Sequence, residues 1–110
     1  MMRPYNMGSK AAPFDGLQVT DIGDVAFNTF DLKDSVNRIT DFYDQVLKTK
    51  AIPMKMGGDH TLTYPILRSI HKKHGPVALI HVDAHADINE HMFGEAIAHG
   101  TPFRLSLIHI

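Results

Sequence analysis

Val77-Ala78-Leu79-Ile80-His81-Val82 runs directly into Asp83-Ala84-His85-Ala86-Asp87. The first six residues are apolar apart from His81 and rich in β-branched side chains, so they read as a buried strand. The next five place Asp83, His85 and Asp87 at alternate positions. A strand sends alternate side chains to one face, so the three converge if the backbone stays extended. Carboxylate and imidazole together suit a divalent metal of intermediate hardness. A strand that ends in metal donors also fits α/β proteins, in which ligands gather beyond the carboxyl ends of strands. The stretch therefore reads as part of a metal site and points to a metallohydrolase.

Moving upstream, residues 51–56 form a second short apolar run, with Met54 and Met56 on one face as core residues. Gly57-Gly58 ends it, and Asp59-His60 follows. His60 is a further metal donor, while Asp59 reads as a cap or an outer partner. Thr61 or Thr63 is expected to cap the next helix, with Pro65 in its first turn, where a missing N–H costs little. Ile66, Leu67 and Ile70 form its inner face, His71 and His74 suit its negative end, and Gly75-Pro76 stops it. Residues 32–50 carry Val36, Ile39, Phe42 or Tyr43, Val46 and Leu47 at helical spacing. An N-cap is expected within residues 28–31, and Lys48 and Lys50 are expected in the last turn. Residues 17–22 suggest a short strand and residues 1–13 a loop. The order strand, helix, strand, helix, strand predicts α/β architecture with parallel strands and right-handed crossovers.

Composition narrows the function. The chain has 110 residues, enough for one small domain. Its net charge is −1 without basic or acidic blocks, which gives nucleic acid and membrane surfaces no electrostatic hold. There is no cysteine, so neither a disulfide framework nor a thiolate metal site exists, in keeping with a cytoplasmic location. Histidine is the unusual residue, with a count of eight, and His60, His81, His85, His91 and His99 all fall in the stretch that holds the metal motif. His81 lies inside the expected strand and reads as a packed core histidine. His91 reads as a loop residue, either touching substrate or solvated. Tyr64 and Phe93 read as packing.

Gly57-Gly58-Asp59-His60, Asp83-Ala84-His85-Ala86-Asp87 and His99-Gly100-Thr101-Pro102-Phe103-Arg104, in this order and spacing, resemble the ureohydrolases, the arginase and agmatinase enzymes. The branch that looks most similar is that of agmatinases and guanidinobutyrases. The resemblance covers nearly everything from Arg3 to Arg104. It implies a fragment of a three-layer α/β/α arginase-like fold with a parallel sheet, and two manganese ions per complete site. His60, Asp83 and Asp87 would hold the first ion. Asp83 would bridge to the second, which His85 would also bind. His99 would be the catalytic histidine. Asn89 and Glu90 would face substrate. A hydroxide held by the metals would attack the guanidinium carbon and release urea.

The same resemblance implies a second Asp-x-Asp motif further downstream, so residues 1–104 read as a partial ureohydrolase domain. Residues 105–110 match the translation of a transposon-end sequencing adaptor and are expected to be a non-native tail. A chain of this extent alone is expected to bind at most one metal weakly and to turn over little. The expected substrate is a linear guanidino compound. Agmatine, giving putrescine and urea, leads because residues 88–97 lack Lys and Arg and contain Glu90 and Glu95. Guanidinobutyrate is the alternative. A non-catalytic metal-binding product is the competing class. The resemblance further implies a homo-oligomeric parent, a trimer or hexamer.

Overall fold

A computed structural model describes residues 4–109. Among the described residues four α-helices succeed one another: α1 (Pro13–Gly16), α2 (Leu32–Val46), α3 (Thr63–His74) and α4 (Pro102–His109). A 3₁₀ turn, His60–Leu62, leads straight into α3.

Helix α2 begins where the side chain of Asp31 accepts the backbone N–H of Asp34 at 3.0 Å. The preceding loop is tied to this first turn by Ser35. Its Oγ accepts from the Asn28 backbone N–H at 2.9 Å and donates to the Asn28 carbonyl at 2.7 Å. Ser35, Val36, Ile39, Thr40 and Tyr43 are buried along one stripe, as the spacing predicts. The helix ends at Val46, so Lys48 and Lys50 lie beyond it. Their expected place is taken by a neighbour: Lys73 of α3 donates to the Leu47 carbonyl at the end of α2. A lysine reaching across from another helix serves the orphan carbonyls as well as a local one does.

Helix α3 packs on α2. Ile39, Tyr43 and Ile66 form the buried core, with Val25, Phe42, Leu62 and Ile70 against it. Each such apolar side chain contributes about 1.5–3 kcal/mol on full burial. Ser69, 1% exposed, lets the helices approach closely and donates to the Thr40 carbonyl at 3.1 Å. The expected threonine cap is replaced by Asp59, whose carboxylate accepts the Thr61 N–H at 2.7 Å one turn earlier. Gly75, with φ 74°, ends the helix as expected.

Lys72 of α3 and Asp44 of α2 pair at 2.5 Å. The hydrogen bond from Lys72 is the main reason that the Asp44 carboxyl lies below its ordinary range, with Ser69 and Arg68 assisting. A carboxyl depressed in the folded state adds stability that is fully present above the unfolded value of 3.8 and is lost as pH falls through the folded value. Asp44→Asn is therefore expected to lower the urea midpoint modestly at pH 6, and the gap from the parent is expected to shrink toward pH 3. A gap that stays constant with pH would mean that the ion pair is not its source.

The expected strands are a correction. Among the described residues, 17–22, 51–56 and 77–82 form no regular strand, and the β-bridges are the isolated pairs Asn6 with Ala11 and Met92 with Glu95. Ile52, Ile80 and Val82 are 94%, 92% and 93% exposed, and Met54 and Met56 are exposed rather than core. Parallel strands are held by cover on both faces. Here the helices pack chiefly on one another, and nothing among the described residues covers those side chains.

Candidate metal centre

The segment after residue 82 bends. The backbone N–H of His85 donates to Asp83 Oδ1 at 2.9 Å, a local Asx-type turn. Asp87 then adopts φ 50°, in the left-handed region that Asp tolerates better than most residues. The donors are thus gathered by a bend and a left-handed residue, not by the alternation of an extended strand. His60, carried by the 3₁₀ turn, meets them. Its Nδ1 lies 2.5 Å from Asp87 Oδ2 and 3.5 Å from Asp83 Oδ2. His85 does not enter this group. Its side chain is 81% exposed, with Nδ1 3.6 Å from Asp83 Oδ1. The two oxygens of Asp83 therefore face different neighbours, Oδ1 toward His85 and Oδ2 toward His60.

The backbone hydrogen bond from His85 is the largest cause that holds the Asp83 carboxyl below its ordinary range, with His81 and His60 adding to it. Asp59 is likewise lowered, chiefly by hydrogen bonds from Thr61 and further by the charges of His99 and His60. Both groups are thus kept anionic at neutral pH. A hollow of about 340 Å³ opens beside His60 and Asp83, with Lys55, Asp59 and Thr63 on its wall. A larger one, of about 940 Å³, holds Asp59 and His99 among apolar side chains of α2 and α3.

His99 makes no hydrogen bond or ion pair with His60, Asp83 or Asp87 among the described residues but shares Asp59 as a neighbour with His60. Its ring lies 6.5 Å from that of Phe93, which is exposed and not a packing residue. Phe93 and Gly94, with φ 54° and 83°, form the tip of a tight turn closed by two 2.9 Å bonds between Met92 and Glu95. Asn89 is held by its backbone N–H, which donates to the Gly100 carbonyl at 3.1 Å. Glu90 is exposed.

Residues at the start of α4 shape the site without supplying a donor side chain. Phe103 donates its backbone N–H to the Asp87 carbonyl at 3.2 Å. Its buried ring lies 5.4 Å from that of His60 and 4.1 Å from that of His81. Thr101, fully buried, closes the turn after His99 by hydrogen bonds with Ala98. The signal for both is the His-Gly-Thr-Pro-Phe run, which the resemblance includes as a motif but in which it gives a role to His99 alone. His81, expected in the core, has a side chain 26% exposed that faces Asp83 at 3.4 Å.

The donor set fits a divalent cation. One ligand atom each of His60, His81 and Asp83 lies within 4.8 Å of the others. Bonds of about 2.1 Å to imidazole and carboxylate span that separation with small side-chain rotations. A cation between His60 and Asp87 would replace their hydrogen bond.

His60, Asp83 and Asp87, brought together beside a Gly-Gly-Asp-His turn, point to a class, and sequence comparison supplies its name. The arginase family's profile matches residues 1–109. The chain belongs to the arginase family. It is 64% identical over 104 residues to a guanidinobutyrase of Pseudomonas aeruginosa, covering 94% of this chain and 33% of that protein. It is 51% identical over 104 residues to the mitochondrial agmatinase of Gallus gallus, covering 94% of this chain and 31% of that protein. The solved structure of proclavaminate amidino hydrolase from Streptomyces clavuligerus superposes with a TM-score of 0.87 at 32% identity, over 99% of this chain and 36% of that one. The chain course is thus that of the arginase fold, although the strand segments lack ladder bonds among the described residues. The chain spans about a third of the length of these relatives. No helix among the described residues is long and apolar enough to cross a membrane.

Proposed function

We propose that the protein of which this chain forms part hydrolyses a linear guanidino compound to urea and an amine, using a manganese pair. The observation that carries this reading is the meeting of His60, Asp83 and Asp87, from separate segments, in a member of the arginase family. His60, Asp83 and Asp87 would hold one ion. Asp83 and His85 would reach toward a second, which suits the divergent aim of the two Asp83 oxygens. When bound, the metals supply Lewis acidity and bring the pKa of water toward neutrality.

The reaction forms a C–O bond from water to the guanidinium carbon and breaks the C–N bond to the substrate chain. Urea leaves, and the amine departs carrying a proton. His99 is the group proposed to pass that proton, with Asp59 as a neighbour. Asn89, fixed through Gly100, and Glu90 are proposed to meet the substrate. A small-molecule substrate, rather than nucleic acid or a membrane, accords with the near-neutral charge of −1. A cytoplasmic, homo-oligomeric enzyme is part of the same proposal.

A guanidino acid is the leading substrate on the 64% identity to a guanidinobutyrase. Agmatine is the second reading, favoured by the lack of Lys and Arg in residues 88–97 beside Glu90 and Glu95. Urea release from 4-guanidinobutyrate and agmatine, measured side by side with the intact protein, separates them. Preference for the acid by tenfold or more in kcat/KM, about 1.4 kcal/mol, is the expected result. The reverse preference selects agmatine, and urea from neither rejects the activity.

A further inference from the structure

We propose that His81 is a positioning residue for the metal centre: its imidazole holds Asp83 Oδ2 in place, while Phe103 holds the His81 ring. This rests on the reading of Asp83 as a metal ligand given above.

His81 and Asp83 are two residues apart, and the His81 Nε2 lies 3.4 Å from Asp83 Oδ2. The other oxygen, Oδ1, already accepts the His85 N–H at 2.9 Å. One backbone donor on one oxygen leaves a carboxylate free to rock about its Cβ–Cγ bond. A second donor on the other oxygen fixes its plane. His60 is the other side chain near Oδ2, at 3.5 Å, but its Nδ1 is nearer still to Asp87, at 2.5 Å. His60 is thus shared between the two carboxylates, whereas His81 faces Asp83, which assigns it to orienting Oδ2. It also lies close enough to His60 and Asp83 to bind a metal directly, the alternative that the Co²⁺ spectrum below separates.

The His81 ring is itself held. The Phe103 ring centroid lies 4.1 Å away at 47°, and the His60 ring lies 5.8 Å away. Phe103 is 7% exposed and anchored through its backbone to the Asp87 carbonyl. One aromatic ring from α4 thus braces an imidazole of each kind, the donor His60 and the orienting His81. Outer partners of this sort tune affinity by restricting how a ligand carboxylate turns.

The test uses His81→Phe and His81→Gln in the intact protein. Phe keeps an aromatic ring against Phe103 but has no N–H. Gln restores an N–H at the reach of the lost Nε2. Manganese affinity is read from the electron paramagnetic resonance of free Mn²⁺, and the ligand set from the visible absorption of the Co²⁺ form. The Phe variant is expected to bind Mn²⁺ about 10–100-fold more weakly, with the Co²⁺ band position kept. The Gln variant is expected to recover to within about threefold of the parent, well inside that 10–100-fold loss. Parental affinity in the Phe variant overturns the proposal, as does a Gln variant no better than Phe. A Co²⁺ spectrum that has lost a nitrogen ligand overturns it too, because His81 would then bind the metal directly. If the Phe variant does not fold, the Gln variant decides alone by the same threshold. A parent protein that binds no metal rejects the site reading itself, a result distinct from a His81 variant that matches a metal-binding parent.

Discussion

Asp83→Asn in the intact protein is expected to abolish urea release and to weaken metal binding by more than the roughly 10–100-fold that losing an outer partner costs. The substitution keeps shape. An asparagine oxygen still accepts the His85 N–H that Asp83 Oδ1 accepts at 2.9 Å, so the bend of the chain survives. Only the negative charge and one acceptor oxygen are lost. Two dications held close together repel, and anionic ligands must offset that repulsion. Asp83 faces His60 with one oxygen and His85 with the other, which makes it the carboxylate best placed to be shared. Metal content by elemental analysis, a Mn²⁺ titration and a urea assay check this together, with thermal unfolding as control. Retention of two ions at parental affinity would remove Asp83 from the ligand set.

His99→Asn is expected to separate chemistry from metal binding. The proposed role is proton delivery to the departing amine, and loss of such a group costs about 10²–10⁴-fold in rate. His99 makes no hydrogen bond or ion pair with His60, Asp83 or Asp87 among the described residues, so metal content and affinity are expected to stay at the parental level. KM is expected to change little if His99 acts in the transition state rather than in substrate binding. A parallel loss of metal would place His99 among the ligands. An unchanged kcat would take it out of the reaction.

The helices were legible because their signal is local. Val36, Ile39 and Tyr43 repeat at a helical period, and the same residues are buried in α2. Gly75 stops α3 by a conformation that glycine adopts freely. What escaped was contributed from a distance. Lys73 finishes α2 from another helix, which no reading of residues 32–50 could contain. Residues 51–56 and 77–82 have strand composition, but a ladder and buried faces are properties of the surroundings, and Ile52 and Val82 remain exposed.

The site shows the same division. The donor types and their order were visible in the sequence, and His60, Asp83 and Asp87 do meet. The means of meeting was not visible, because period-two spacing presumes an extended chain and the Asx-type turn at Asp83 breaks it. That turn also leaves His85 facing solvent. Phe103 is part of a motif but is given no role by the sequence, because an apolar side chain carries no ligand atom, yet its ring lies against two imidazoles.

Asp87 answers two demands at once. Its backbone sits at φ 50°, which strongly disfavours β-branched side chains and favours Asn, Asp and Gly, and its carboxylate reaches His60. Glutamate would keep the charge and lose the conformational tolerance. Asparagine and glycine would do the opposite. The vocabulary of residues able to stand at this point in the chain is therefore close to a single word, fixed by backbone geometry and charge together.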